Sequence, residues 1–471
     1  MGPDDVSDDL LDKAIDDSLD AHFTRYIDGI LSRISGRIQK RLTRRKSEAR
    51  FPEKEGVSKW TICVEDCEWW RLVTRLRSET PRDADQRTFR RRFRVPFEVF
   101  QELLDAAKSS GEFDSRAVGG HRPVPLELKL MGVLRYNAVG GNWDVIEEAS
   151  GGISKSTFAR FHLKYIEWFN RTQLDKYVYP TVPKVAEAVY SKLGFPGCVG
   201  SMDGVHIVWE GCPWTQKHLY QGKEKQPTMA FNVVCDTTTR VQSISGPFHG
   251  KVNDKTMVRC DAFVSRLRSD PVYKRLAFEL CEKHGVKKTW LGAYLICDGG
   301  YHQWRETMSA VKGTADFDEA SFAARLESVR KDVEALFGRV KKRFRILKVP
   351  ILFTNPDHVG HTFSFCLALH NRLLQVDGFD KLGEEDGQWI DDDVEEHLRR
   401  VAAKVMAANG NVDNLDADLT RVGSSGYDDG SERTETTSSF FDLREALVRH
   451  WKFAERRWRK TGAELGLGFQ R

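Results

Sequence analysis

Apolar residues recur every three or four positions through the first part of the chain and change to a strand rhythm at about Cys198, so helices precede a sheet. Phe97, Val99, Phe100, Leu103 and Leu104 carry helical spacing, directly after a basic run at Arg90, Arg91, Arg92 and Arg94. Pro125 opens a further predicted helix, Leu126 to Val139, and the pair Gly140 and Gly141 ends it. A short segment, Trp143 to Ala149, leads to Gly151 and Gly152. Ser154 then stands where an N-cap belongs, ahead of a helix whose core stripe is Phe158, Phe161, Tyr165 and Phe169. Helix, glycine turn, capped helix is the outline of a helix-turn-helix unit. Lys155, Ser156 and Arg160 lie off the stripe near the start of that last helix, where such helices meet base edges or phosphates. A plain helical hairpin has the same outline.

From Cys198 the pattern predicts three successive strands, Cys198 to Trp209, Thr228 to Asp236 and Val241 to His249, separated by Gly, Pro, Asp and Thr turns. A helix over Asp254 to Leu267, with Asn253 as its cap, comes next. Trp290 to Cys297 reads as a fourth strand and Phe317 to Leu347 as a long helix. Strands followed by helix, strand and helix make an α/β layer with a mixed sheet.

Composition adds the boundaries. At 471 residues the chain exceeds one ordinary core, and two or three domains with tails are expected. The net charge of +4 says little about partners, but 30% charged residues leave room for local segregation. The first twenty residues hold eight aspartates, with Leu10, Leu11, Ile15 and Leu19 spaced for a short amphipathic helix. Basic residues then run from Arg33 through Arg50, as a nuclear-localisation signal, a phosphate-contacting arm or a solvated tail would have them. No secretory pattern and no apolar run of about 18 residues is present, so a soluble, intracellular chain with no membrane contact is expected. Nine scattered cysteines, an odd number, are unlike a disulfide framework and suit a reducing compartment. Cys63 and Cys67 lack the second pair that a zinc site needs. Residues 377–397 hold ten acids against one lysine, and 409–439 are rich in Gly, Asp, Ser and Thr. A last helix, 440–460, is expected to dock through Leu443, Leu447 and Trp451. The divisions are a charged, partly disordered arm (1–87), a helical, helix-turn-helix-like DNA-binding region (88–195), an α/β domain (196–375), an acidic low-complexity linker (376–439) and a basic-aromatic helix (440–471).

Three carboxylates stand out. Asp203-Gly204 and Asp298-Gly299 each follow an apolar run, at a sheet edge where side chains converge and glycine admits a close approach. Either alone is also an ordinary turn. Glu334 lies on the long helix beside a buried stripe of Val329, Val333, Leu336, Val340, Phe344 and Leu347. Gly338, one turn on, suggests a close approach, and Arg330, Lys341, Lys342 and Arg343 offer positive charge to a phosphate backbone. Three hard oxygen ligands suit Mg²⁺ or Mn²⁺, and two such ions can drive an in-line phosphoryl displacement. No Walker loop, dinucleotide fingerprint, HExxH or nucleophile elbow competes.

At these residues the chain resembles the PIF/Harbinger superfamily of transposases, in particular the plant transposon proteins. The matching stretches are Gly200-Ser201-Met202-Asp203-Gly204-Val205-His206 with Trp209 and Cys212-Pro213, then Pro227-Thr228, Gly250-Lys251-Val252-Asn253-Asp254 and Asp298-Gly299-Gly300-Tyr301. Arg330-Lys331-Asp332-Val333-Glu334 with Phe337-Gly338 and Arg343-Phe344, and Leu369-His370-Asn371, complete the order over about 88–375. The resemblance implies a ribonuclease H-like nuclease domain at 196–375 with a DDE triad, Asp203, Asp298 and Glu334, holding two divalent metal ions. For Asn253 and Asp254 it implies a place at the edge of the site or in its structure. It further implies cleavage and joining of transposon-end DNA in the nucleus, with double-stranded DNA, a Myb-like DNA-binding protein and a second copy of the chain as partners. Relatives often read Asp-Cys-Met-His-Trp where this chain reads Asp203-Gly204-Val205-His206, with Trp209 further on. A domesticated, catalytically inactive DNA-binding or scaffold protein, and a nuclease that never joins, are the alternatives.

Overall fold

The computed structural model describes residues 64–114, 123–223, 225–282, 286–310, 316–380 and 440–454. The acidic start, the basic block at 33–50, Cys63 and the linker at 381–439 lie outside the described residues. Six helices come first: α1 Glu68–Leu76, α2 Asp83–Phe93, α3 Phe97–Ser109, α4 Leu126–Val139, α5 Trp143–Ala149 and α6 Lys155–Thr172. The helical region thus reaches back ahead of the expected Thr88 start. Trp69, Phe93 and Phe158 explain why, since the Trp69 ring meets Phe93 edge-on at 5.4 Å and Phe158 at 6.2 Å, tying α1 to α2 and α6. Gly132 on α4 lets that packing close, because a Cβ there would sit 2.2 Å from the Phe158 ring. Ser154 is the N-cap of α6 by position, but its hydroxyl pairs with those of Ser156 and Thr157 and does not cap the helix.

After α7, Pro183–Lys192, the chain builds a five-stranded mixed sheet from β1 Cys198–Val208, β2 Thr228–Cys235, β3 Val241–His249, β6 Tyr294–Cys297 and β7 Thr307–Ser309. The spatial order is β3-β2-β1-β6-β7, with β1, β2 and β3 antiparallel and β1, β6 and β7 parallel. The mixed α/β class agrees with the sequence pattern. A separate hairpin pairs β4 Ala277–Cys281 with β5 Lys287–Leu291.

Two predicted elements divide. The single strand expected over Trp290 to Cys297 belongs to two sheets, because the backbone turns at Gly292, where φ is +93°. The buried Arg305 guanidinium fills that corner, donating to the carbonyl oxygens of Leu291, Gly292 and Ala293. The helix expected over Asp254 to Leu267 restarts midway, as α8 Asp254–Arg259 and α9 Ala262–Ser269. Asn253 caps the first by accepting from the Thr256 amide at 2.8 Å, and Asp261 caps the second by accepting from Phe263 and Val264 at 2.9 Å each.

Helices cover both faces of the sheet. On β1, Val205 and Ile207 share a core with the early helices, α10 Phe317–Arg343 and α11 Pro356–Asp377. Met202 faces the other way, packing with Phe263, Val264 and Leu267 of α9. The predicted stripe on α10, Val329 through Val340, is buried in full. A turn of 3-10 helix, Arg345–Leu347, ends that helical run. Residues 440–454 form α12, which returns to the β4–β5 hairpin and α10 with Leu443, Leu447 and Trp451 buried as expected. The Trp451 indole donates to Ser321 Oγ at 3.0 Å. Cys67, Cys198, Cys212, Cys235, Cys260, Cys281, Cys297 and Cys366 are free thiols. Among the described residues no helix is long and apolar enough to cross a membrane.

Candidate active site

Strand register brings the two aspartates to one level. Ser201 of β1 pairs with Ile296 of β6 in parallel, so two residues on, Asp203 stands beside Asp298, which follows the last residue of β6. Neighbouring strands lie about 4.8 Å apart and in-register side chains of a parallel pair share a face. That face is the one α10 covers, since Asp203 alternates with Val205 and Ile207.

Arg330 of α10 makes the connection to Glu334. Its guanidinium lies 3.1 Å from Asp203 Oδ2, 3.0 Å from Glu327 Oε2 and 2.7 Å from Glu334 Oε1. The Arg330 side chain is only 12% exposed, whereas that of Glu334 is 50% exposed. Burial pushes the Asp203 carboxyl up to about 6, and the negative charges of Asp298 and Glu334 add to the shift. The Gly204 amide, which donates to Asp203 Oδ1 at 2.8 Å, and the Arg330 charge oppose it.

Beside Asp298, Gly300 leaves room for a further carboxylate. A Cβ at Gly300 would lie 2.9 Å from Asp254 Oδ2 and 3.5 Å from Asp298 Oδ2. Tyr301 closes the floor. Its buried hydroxyl donates to Asn232 Oδ1 at 2.8 Å and faces Gly204, where a Cβ would come within 3.4 Å. Asn232 pairs with Gly204 across the β1–β2 ladder and donates through Nδ2 to Asp261 Oδ2 at 2.8 Å. Asp261 therefore anchors the amide while its other oxygen caps α9. Burial raises the Tyr301 hydroxyl well above its ordinary pKa, so it stays a donor.

Among the described residues, no three His, Cys, Asp or Glu side chains stand as they are in a group that could hold a metal ion. In donor chemistry the set still fits a hard divalent cation. Asp203, Asp298 and Glu334 offer only carboxylate oxygens, and the burial that holds the Asp203 carboxyl high favours a cation that compensates its charge.

The residues expected to touch DNA divide by environment. Arg330 faces inward among three carboxylates. Arg343 is also turned in, with Nη1 3.3 Å from His370 Nδ1 and Nη2 4.0 Å from Asp377. Lys342 is exposed and Lys341 half-buried. Lys155, Ser156 and Arg160 are exposed, but Lys155 Nζ is paired with Asp144 at 2.8 Å and the Lys155 amide donates to Glu147. No other part of the described chain approaches Gly338, since a Cβ there would meet no atom within 4 Å. Tyr301, Asn232 and Asp261 were not identifiable as a set from their types, because their link runs through the β1–β2 register and the α8–α9 break. Of the remaining motif residues, Asn371 of α11 is buried against the start of β3, accepting from the Val241 amide and donating to the carbonyls of Tyr177 and Val241.

No curated protein and no solved structure matches this chain. The model of the family described as plant transposon protein matches residues 175–379. That stretch runs from just before α7 to the end of α11 and contains Asp203, Asp254, Asp298, Arg330 and Glu334. As the sequence resemblance anticipated, this match to the plant transposon protein family over residues 175–379 is consistent with a PIF/Harbinger-like transposase family.

Proposed function

We propose that the protein is a Harbinger-like DDE transposase that cuts and joins transposon-end DNA by metal-dependent phosphodiester chemistry. The observation that carries this is the convergence of Asp203 and Asp298 at one level of adjacent parallel strands, with Glu334 joined to Asp203 through Arg330, inside the matched stretch. The strand order, three antiparallel strands followed by two parallel ones, supports a ribonuclease H-like reading of the nuclease domain.

Asp203, Asp298 and Glu334 would hold the divalent ions, Mg²⁺ or Mn²⁺, with two expected. Bound there, such ions would activate the attacking water or 3′ hydroxyl and take up charge on the leaving oxygen. The chain's own part is to fix the carboxylates. Register sets Asp203 against Asp298, the Gly204 amide orients Asp203, and Tyr301 holds the turn after Asp298 against β2. Exposed Lys342 offers charge to the DNA backbone, and Lys341 and Arg343 lie on the same helix. Lys155, Ser156 and Arg160 are proposed contacts of the helical region. The basic residues between Arg33 and Arg50 support nuclear localisation. A Myb-like DNA-binding protein and a second copy of the chain complete the proposed partners.

The test is cleavage and joining of DNA carrying the element's terminal repeats in Mn²⁺, with Asp203→Asn, Asp298→Asn and Glu334→Gln alongside. Loss of both reactions in all three variants, with DNA binding kept, supports the assignment. Variants that cut as well as the parent would sink it. The Arg330 bridge favours one competing reading, a domesticated DNA-binding or scaffold protein that uses the guanidinium in place of metal. DNA binding unaffected by removal of divalent ions, with no cleavage of any end-bearing substrate, would select that reading.

A further inference from the structure

Three carboxylates share one guanidinium in this site, and two of them are proposed metal ligands. Arg330 lies 2.7 Å from Glu334 and 3.1 Å from Asp203, and the third contact, 3.0 Å to Glu327, is to a residue outside the proposed triad. Arg330 precedes Glu334 by four residues and follows Glu327 by three, so all three side chains lie along one side of α10. Asp203 comes from the sheet. The positive charge between strand and helix is thus supplied by the chain itself.

The guanidinium contacts Asp203 Oδ2 and Glu334 Oε1, on two carboxylates that a divalent ion would also need. Each carboxylate keeps lone pairs beyond the one that Arg330 uses, but a guanidinium and a divalent ion brought against the same two carboxylates repel each other and compete for their charge. Asp203, whose side chain is 23% exposed, would be costly to leave charged without either cation, because uncompensated charge out of water is unfavourable. Either cation would meet the same need at Asp203. Glu327 gives the displaced guanidinium a place to stay, since that contact involves neither proposed ligand.

We propose that Arg330 is an exchangeable internal counter-cation: it neutralises Asp203 and Glu334 in the metal-free protein, and a divalent ion binds by displacing it toward Glu327. This rests on the metal-site reading of Asp203, Asp298 and Glu334. Competition of two cations for one pair of carboxylates is a negative coupling, and coupling between linked sites commonly amounts to roughly 5- to 150-fold in affinity. After displacement the guanidinium remains beside the carboxylates, where a DNA phosphate bridging them would meet it, and its planar fork matches a phosphate as well as it matches a carboxylate.

The experiment is Mn²⁺ binding to the full chain by titration calorimetry, for the parent, Arg330→Gln, Arg330→Lys and Asp203→Asn, with thermal unfolding of each measured with and without Mn²⁺. Arg330→Gln is expected to bind Mn²⁺ about tenfold tighter than the parent. It should melt lower without metal and gain more on its addition, and Arg330→Lys, which keeps the charge but loses the fork, should fall between. If Arg330→Gln does not fold without metal, the Arg330→Lys affinity decides alone. Unchanged or weaker Mn²⁺ binding in the Arg330 variants, while Asp203→Asn abolishes it in the parent, would overturn the counter-cation role and leave Arg330 as a positioning residue for Glu334. Mn²⁺ binding that is absent from every protein, or indifferent to Asp203→Asn, would instead overturn the metal-site reading, and this proposal with it.

Discussion

The hydroxyl of Tyr301 donates a 2.8 Å hydrogen bond to Oδ1 of Asn232, and that bond ties the turn carrying Asp298 to the strand beside Asp203. Tyr301 follows Asp298 by three residues, and its amide donates back to the Asp298 carbonyl at 3.2 Å, so the phenol and the aspartate belong to one tight turn. Asn232 cannot reorient, because its Nδ2 is engaged by Asp261. Tyr301→Phe would leave Asn232 Oδ1 buried without a donor, at a cost of about 1–3 kcal/mol. A denaturant titration should read that loss. Mn²⁺-dependent cleavage should fall further than the stability change explains, because the Asp298 turn is then no longer tethered.

This tether also marks the limit of what the sequence discloses. Asp203 and Asp298 are legible because an apolar run ending in Asp-Gly has a physical signature in one dimension, and the α10 stripe with Glu334 is legible by its spacing. The strand division at Gly292 is not, since it depends on Arg305 arriving from a later segment to fill the corner. Arg330 shows the same limit in the site itself. On the helix it is one cation among many, and only its position opposite β1 turns it toward Asp203 instead of DNA.

His370 should make the fold acid-sensitive. Its Nε2 donates to the Thr239 carbonyl at 3.0 Å, so Nδ1 is the acceptor for Arg343 Nη1 at 3.3 Å. Burial pushes its pKa down to about 3, and the charges of Arg343 and Arg339 push in the same direction, against the Thr239 bond. The unfolded chain takes up this proton near pH 6.5 while the folded one does not, so stability is whole above that pH. It falls as pH drops toward 3, with a slope of up to about 1.4 kcal/mol per pH unit. His162, held near 3, and His450, held near 4, act with the same sign. His370→Gln keeps a donor and an acceptor but cannot titrate. The stability lost between pH 7 and pH 5 should shrink by about 2 kcal/mol relative to the parent, measured by urea midpoints at both values.

Gly194 and Trp451 should fail to act independently. Gly194 has φ of +97°, and a Cβ there would stand 2.7 Å from the Trp451 ring. Gly194→Ala therefore adds backbone strain of about 1–2 kcal/mol to the displacement of the indole that docks α12. Trp451→Ala should cost about 3–5 kcal/mol by leaving a cavity between α10 and the hairpin. In the double variant the clash has no partner, so the two losses should sum to more than the measured one. Additive losses in a denaturation cycle would show that Gly194 is constrained by its backbone alone.

Gly300→Ala separates stability from chemistry at the site. The added methyl would come within 2.9 Å of Asp254 Oδ2 and 3.5 Å of Asp298 Oδ2, and Gly300 is not among the glycines with positive φ. The backbone thus accepts alanine without strain, and the first contact can be relieved by turning a half-buried side chain at the start of α8. Stability should change by less than about 1 kcal/mol. The Asp254 carboxylate must shift to admit the methyl, and a carboxylate displaced by about 1 Å in a reacting constellation can cost on the order of a hundredfold in rate. Mn²⁺-dependent cleavage should therefore drop at least tenfold while the melting temperature hardly shifts. Asp254→Asn should reproduce the drop if the carboxylate charge is what Gly300 makes room for. Full activity in both variants would put Asp254 outside the reaction and leave Asn253 and Asp254 only the start of a helix.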